Sequence, residues 1–266
     1  MTHHMFRYDT GFVSDTGLVR QENEDNWFVD EDKGIWLVAD GMGGHTNGKL
    51  ASARIVECAK TVGAAVSAPD LLARFTDRML RANRELLEVS ESTNAVLGST
   101  MVGVLVFGGH FACTWAGDSR AYLLRDGNLH QISRDHTEVQ ELLDKGVIDP
   151  QQARNWPRRN VITRAIGVFP DLELDTIHGQ VCEGDRFLLC SDGLTGHVGD
   201  EEIYDTVLNH APMDACRRLV GLTLERGAKD NVTVVVWHCL SANKNTVVAT
   251  GRTGAPRDDD IWESTP

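Results

Sequence analysis

Short apolar runs typical of β-strands recur along the 266-residue chain. Several are apolar at nearly every position, which indicates strands buried on both faces. They cover residues 27–29, 34–39, 101–107, 111–115, 121–124, 187–190 and 232–239. Gly108-Gly109 and Asp126-Gly127 follow such runs and are typical of hairpin turns, so the strands are predicted to pair largely antiparallel.

Helical periodicity occurs in two pairs of segments. Over residues 46–66 and 70–89, apolar side chains recur every three to four positions and form one face. Two shorter helices are predicted around 201–208 and 214–226. This order of elements indicates an α+β fold in which two packed sheets are flanked by helix pairs.

Two regions depart from this pattern. Residues 134–170 combine a polar stretch with a short helix, whose apolar face consists of His136, Val139, Leu142 and Leu143. Such an insertion is a candidate flap over a site. Residues 241–266 lack periodicity and include an acidic run, so we expect one folded domain over 1–240 and a disordered tail.

The composition makes some partners and compartments less expected than others. The formal net charge is −13, and phosphate backbones or acidic lipids repel such a surface, so neither nucleic acid nor membrane is an expected partner. The six cysteines form no CxxC pair and are expected to be reduced core residues. We see no signal peptide and no apolar run near the ~20 residues of a membrane span, so a cytoplasmic protein is expected.

The stretch VADGMGGH places three glycines within the four residues after Asp40. This density suggests that the backbone comes close to something. A carboxylate at a strand end, followed by exposed carbonyls, is suited to a hard cation. A glycine-rich turn capped by Asp40 explains the stretch equally well.

Three other aspartates stand at the edges of apolar runs, namely Asp118 in TWAGDSR, Asp192 in FLLCSDGL and Asp230 in AKDNVTVVV. Gathered at one place, these carboxylates would repel one another unless cations neutralised them. Oxygen ligands without a His or Cys cluster favour Mg²⁺ or Mn²⁺ over Zn²⁺. Taken singly, each aspartate is also explained as a cap or turn residue.

An arginine, Arg20, precedes a carboxylate pair in the stretch RQENEDN. Its planar guanidinium fits a phosphate group through two parallel hydrogen bonds. A charged surface loop is the alternative interpretation.

Eight stretches, in this order, resemble the metal-dependent Ser/Thr protein phosphatase family (PPM, type 2C), and especially its compact bacterial members. They are DTGLVRQENEDNW, VADGMGGH, LGSTMV, WAGDSRAYLLRDGNL, ISRDHT, NVITRAIG, FLLCSDGL and KDNVTVVV, and they span about residues 10–238. The resemblance implies an αββα four-layer sandwich with two metal ions, Mn²⁺ or Mg²⁺. Asp40 would bridge both ions, Gly41 would offer its backbone carbonyl, and Asp192 and Asp230 would complete the set.

The same resemblance implies roles for four further residues. Glu24 and Asp25 would act largely through metal-bound water, and Arg20 would hold the substrate phosphate. In bacterial members, a third ion binds at the position of Asp118. The implied reaction is hydrolysis of phosphoserine and phosphothreonine in proteins by a metal-activated water, opposing a Ser/Thr kinase, and we expect a monomer.

The proton donor to the leaving group is left open by the sequence. Many eukaryotic members have a histidine directly after the Asp-Gly pair, where this chain has Met42. His45 and His136 are the candidates, and a metal-bound water is an alternative to both.

Three rival interpretations were weighed. A serine hydrolase is disfavoured, because Gly117-Asp118-Ser119 lies mid-chain and no GxSxG stretch is present. A non-catalytic binding domain of the same fold is disfavoured, because every expected ligand is present. A small phosphorylated metabolite as substrate is not excluded by the sequence.

Overall fold

The computed structural model describes residues 6–44, 46–158 and 160–242. Its strands are β1 (Phe6–Asp15), β2 (Asp25–Asp30), β3 (Ile35–Met42), β4 (Gly98–Ser99), β5 (Met101–Phe107), β6 (His110–Ala116), β7 (Arg120–Arg125), β8 (Asn128–Gln131), β9 (Asp175–Gln180), β10 (Arg186–Cys190) and β11 (Val232–Ser241). Its helices are α1 (Thr46–Lys60), α2 (Ala68–Thr93), α3 (Glu138–Asp144), α4 (Pro150–Arg154), α5 (Asp192–Thr195), α6 (Asp200–Asn209) and α7 (Pro212–Glu225).

The strands form two antiparallel sheets. One has the order β1-β11-β10-β7-β8, and the other has the order β2-β3-β5-β6-β9, with β4 added beside β3. Both predicted hairpins are present, since β5 pairs with β6 and β7 with β8. The α+β, αββα prediction is confirmed.

Three layers of apolar side chains hold the four structural layers together. Helices α1 and α2 cover the β2-containing sheet, and α5, α6 and α7 cover the β1-containing sheet. The middle layer, between the sheets, contains a stack of three aromatic rings. Trp36 and Trp237 lie 4.6 Å apart, and Trp237 and Phe187 lie 4.9 Å apart, with nearly parallel planes. Each sheet is therefore buried on both faces, as the continuous apolar runs predict.

Local signals explain where the long helix α2 begins and ends. The side chain of Ser67 accepts a hydrogen bond from the Asp70 backbone N–H, and a proline stands in the first turn. Asn94 ends the helix in the left-handed conformation, at φ 51°.

The segment 134–170 differs from the amphipathic helix that the sequence predicts. Helix α3 begins only at Glu138, after His136, and none of its side chains is fully buried. His136 instead lies in the loop before the helix and is buried against the sheet edge.

The remaining expectations concern the cysteines, the tail and the membrane. All six cysteines are free thiols, and five of them are buried. In the described part of the chain, no helix combines the length and apolar character needed to cross a membrane. Of the expected tail, residues 243–266 lie outside the described residues.

The aromatic stack predicts a large stability loss for Trp237→Ala, because the indole is fully buried between the sheets. We expect the free energy of unfolding to fall by about 3–5 kcal/mol, and Trp237→Phe to cost less. Urea denaturation followed by circular dichroism measures both, with Val66→Ala as an exposed control. A loss below about 1 kcal/mol in Trp237→Ala would contradict the prediction.

Candidate metal centre

Strand topology brings five aspartates to one end of the sandwich. Asp25 begins β2 and lies directly opposite Asp40 near the end of β3. The other three also stand at strand ends, with Asp118 between β6 and β7, Asp192 after β10 and Asp230 just before β11. The end of β10 is in register with the start of both β7 and β11, so all five backbones meet at one edge.

The aspartate carboxylates strongly shift one another's pKa values. Burial is the largest cause that raises the pKa of Asp40, and the negative charges of the other four aspartates raise it further. Burial likewise raises the pKa of Asp25 to about 7 and that of Asp118 to about 8. Burial, followed by the negative charge of Asp230, raises the pKa of Asp192, whereas its interaction with the Asp40 side chain lowers it.

Two oxygens in this cluster have no hydrogen-bond donor within the described structure. Oδ1 of Asp25 and Oδ1 of Asp118 are both buried and unsatisfied. Buried carboxylate oxygens are costly unless a cation or donor faces them. The all-oxygen donor set fits a hard divalent cation such as Mg²⁺ or Mn²⁺.

The described side chains do not, however, form a ready-made cage. Among them, no three His, Cys, Asp or Glu residues converge as a ligand cluster. This agrees with the implied set, which combines carboxylates from separate strands with a backbone carbonyl and water.

Hydroxyl groups fix the two central aspartates. The Ser191 hydroxyl donates to Oδ2 of Asp25 at 2.7 Å and accepts from the Thr233 backbone N–H at 3.0 Å. The Asp40 carbonyl accepts from the Thr100 N–H at 2.8 Å and from the Ser99 hydroxyl at 2.9 Å. The carboxylate of Asp25 and the backbone of Asp40 are therefore held by neighbouring groups of the protein.

The glycine after Asp40 is required by a close backbone approach. A Cβ at Gly41 would lie 2.0 Å from the carbonyl oxygen of Gly48 in α1, which excludes any side chain. A Cβ at Gly48 would lie 2.7 Å from the Gly41 carbonyl oxygen and 2.9 Å from the carboxyl carbon of Glu24. These two candidate ligands therefore border one small space beside α1.

Arg20 lies at the rim of the centre. Its Nη2 donates to Oδ2 of Asp230 at 2.7 Å, and this hydrogen bond is the main cause that raises the arginine pKa. Asn231 holds the loop in place, since its side chain accepts from the Glu24 N–H and donates to the Thr16 and Glu22 carbonyls. The loop that presents Arg20 and Glu24 is thus fastened to the start of β11.

Comparison with known proteins decides the family. The protein phosphatase 2C profile matches residues 16–230. The chain belongs to this phosphatase family. The serine/threonine protein phosphatase PstP of Mycobacterium tuberculosis is 38% identical over 226 residues, which are 84% of this chain but only 43% of that relative. The chain thus spans less than half the length of this relative.

Two solved structures of phosphatase 2C type proteins support the fold in detail. PppA, a regulatory component of the type VI secretion system in Pseudomonas aeruginosa, is 40% identical, with a TM-score of 0.82 over 88% of this chain and 98% of that one. The catalytic domain of PstP in complex with two manganese ions is 35% identical, with a TM-score of 0.80 over 88% of this chain and 99% of that one.

Of the two candidate proton donors in this phosphatase 2C chain, the structure describes only His136. His45 lies outside the described residues. Both ring nitrogens of His136 are engaged, because Nδ1 accepts from the Gly117 N–H at 3.1 Å and Nε2 lies 3.2 Å from Oδ2 of Asp175. The ring is also buried, so the geometry favours a structural role for His136.

Sequence reasoning missed the polar residues that hold the ligands, namely Ser99, Thr100, Ser191 and Asn231. Each stands within two residues of a candidate ligand or within a quoted stretch such as LGSTMV. The available signal was chemical, because a buried carboxylate or carbonyl needs nearby donors. A single sequence does not show which of these polar residues bonds to which candidate ligand, because the partners lie on different strands.

The raised carboxyl pKa values predict that metal-free protein loses stability as pH rises. Because the folded pKa of Asp118 is about 8, the unfolded state releases this proton near pH 4 while the folded state keeps it until about pH 8, so stability falls with rising pH between these values. Relative to Asp118→Asn, metal-free wild type should lose about 1 kcal/mol of unfolding free energy per pH unit from pH 5 to 8.

Urea denaturation of both proteins in EDTA measures this difference, and comparing them cancels other titrating groups such as His238. Saturating Mn²⁺ should stabilise wild type more than the variant. The exposed Asp214→Asn protein serves as the control. Equal pH dependence in wild type and Asp118→Asn would refute the raised pKa of Asp118.

Proposed function

We propose that this chain hydrolyses phosphoserine and phosphothreonine in proteins with the help of two divalent cations. The observation that supports this most directly is the cluster of five mutually repelling carboxylates beside Arg20, at one open end of a protein phosphatase 2C fold. Such a cluster needs positive charge, and a phosphate monoester with two cations provides a complementary arrangement. The phosphatase names of the relatives support the substrate class.

Most of the candidate residues would act as ligands of the two ions. Asp40, Asp192 and Asp230 would hold the two ions, with the Gly41 carbonyl and water-mediated contacts from the β2 end. When bound, the ions supply an activated water and neutralise charge on the phosphoryl oxygens. We propose Mn²⁺ or Mg²⁺, and a third ion at Asp118, on the basis of the all-oxygen donor set.

Arg20 would bind and orient the phosphate. Its guanidinium is half exposed and already points into the acidic centre, where it pairs with Asp230. A planar fork with further N–H groups can keep one bond to Asp230 and donate others to phosphate oxygens. The leaving serine or threonine oxygen needs a proton, and His136 does not provide it because both nitrogens are occupied.

The expected setting follows from the same reasoning. We propose that the substrates include proteins phosphorylated by a Ser/Thr kinase that this enzyme opposes, and that the chain acts as a cytoplasmic monomer. Six free thiols support a reducing compartment. The alternative, a metal-loaded but non-catalytic binding domain, predicts cation binding without turnover.

Metal-dependent turnover is the first prediction of this proposal. A phosphothreonine peptide should release phosphate with Mn²⁺ or Mg²⁺ and not with EDTA, and Asp192→Ala should lower kcat by at least about 100-fold. Phosphate release is measured with malachite green, with Asp214→Ala as the matched control. A folded protein that binds Mn²⁺ but hydrolyses neither peptides nor aryl phosphates would establish the binding-domain alternative.

Arg20 provides a second prediction. Arg20→Ala should lower kcat/KM by about 10- to 100-fold, because hydrogen bonds to a charged group are lost. Arg20→Lys should recover part of this activity, since it keeps the charge but not the fork. Steady-state kinetics on the peptide and on p-nitrophenyl phosphate measure both, and unchanged kcat/KM in Arg20→Ala would exclude phosphate binding by this residue.

A further inference from the structure

The buried residue His136 forms two hydrogen bonds with the backbone next to Asp118. The His136 backbone N–H donates to the Gly117 carbonyl at 2.9 Å, and its ring Nδ1 accepts from the Gly117 N–H at 3.1 Å. One residue thus binds both polar groups of Gly117. The position also requires glycine, because its φ is 113° and a Cβ there would lie 2.6 Å from the Thr100 side chain.

The other side of Asp118 is fixed as well. The hydroxyl groups of Ser119 and Thr100 hydrogen-bond at 2.7 Å, and Thr100 Oγ1 also accepts from the Asp40 N–H at 3.1 Å. Asp118 is therefore placed relative to Asp40 by contacts on both of its neighbours. Its own Oδ1 is buried and lacks a donor in the described structure.

The orientation of the His136 ring depends on Asp175. Since Nδ1 accepts from Gly117, the proton resides on Nε2, which donates to Oδ2 of Asp175 at 3.2 Å. The second oxygen of Asp175 forms an ion pair with Arg164, which belongs to the 134–170 segment. The hydrogen bond from His136 and the arginine lower the pKa of Asp175 to about 2, so this carboxylate remains ionised at neutral pH.

We propose that Asp175 is a positioning residue for the metal centre. Through the His136 ring it fixes the N–H of Gly117, and so the loop position from which the next residue, Asp118, binds a cation, and through Arg164 it connects that loop to the 134–170 segment. The proposal rests on the proposed role of Asp118 as a ligand. Outer partners that orient a metal ligand typically change metal affinity by about 10- to 100-fold when they are removed.

Mn²⁺ binding to the full chain tests the proposal by isothermal titration calorimetry. Asp118→Ala first identifies the binding step that needs this ligand. Asp175→Ala should weaken that same step by about 10- to 100-fold and leave the others unchanged. Asp175→Asn should stay close to wild type, because its side-chain oxygen still accepts from His136. The neighbouring exposed Asp171→Ala is the control.

Thermal melts in EDTA verify that each variant folds, and Asp175→Ser replaces Asp175→Ala if the alanine protein does not. Wild-type affinity at every step in the alanine or serine protein overturns the proposal. An equal loss in Asp175→Asn also overturns it, because charge rather than the histidine contact would then be responsible. Calorimetry needs no turnover, so an inactive wild type that shows the expected binding pattern would refute only the proposed phosphatase activity.

Discussion

Repulsion among carboxylates at one end of the sandwich is the constraint on which the rest of this structure depends. Asp40 is partly buried, and four other aspartates raise its pKa in addition to the effect of desolvation. An unsupported cluster of this kind would relax by moving apart or by taking up protons. The chain instead holds the cluster in place, and its all-oxygen donor set is suited to divalent cations.

The rigidity comes from the layered fold. Strands buried on both faces fix the ends of β3, β6, β10 and β11, and the aromatic stack of Trp36, Trp237 and Phe187 joins the two sheets. Because a strand buried on both faces cannot slide without exposing its side chains, the positions of its terminal residues are determined to a fraction of a strand spacing. Apolar packing elsewhere in the molecule thus offsets the electrostatic free energy needed to bring these like charges together.

A network of hydrogen bonds fixes the side chains at the metal end to these rigid strands. Ser191 fixes Asp25, Thr100 joins Asp40 to the Asp118 loop, and Asn231 fastens the loop that presents Arg20. The His136–Asp175 contact extends the network to Arg164 in the 134–170 segment. The 134–170 segment is therefore joined to the metal end by hydrogen bonds as well as by packing.

By itself, the sequence determined the central strands, the two long helices and the identity of the acidic residues, because continuous apolar runs and helical periodicity report burial directly. It missed β1 and β9, which lie at sheet edges, where burial is incomplete and the apolar signal is weak. Only the tertiary structure decided which polar groups hold the aspartates, and that His136 is bound on both nitrogens. Those contacts join residues far apart in the chain, such as Asp25 and Ser191, and no local pattern encodes a hydrogen bond across two sheets.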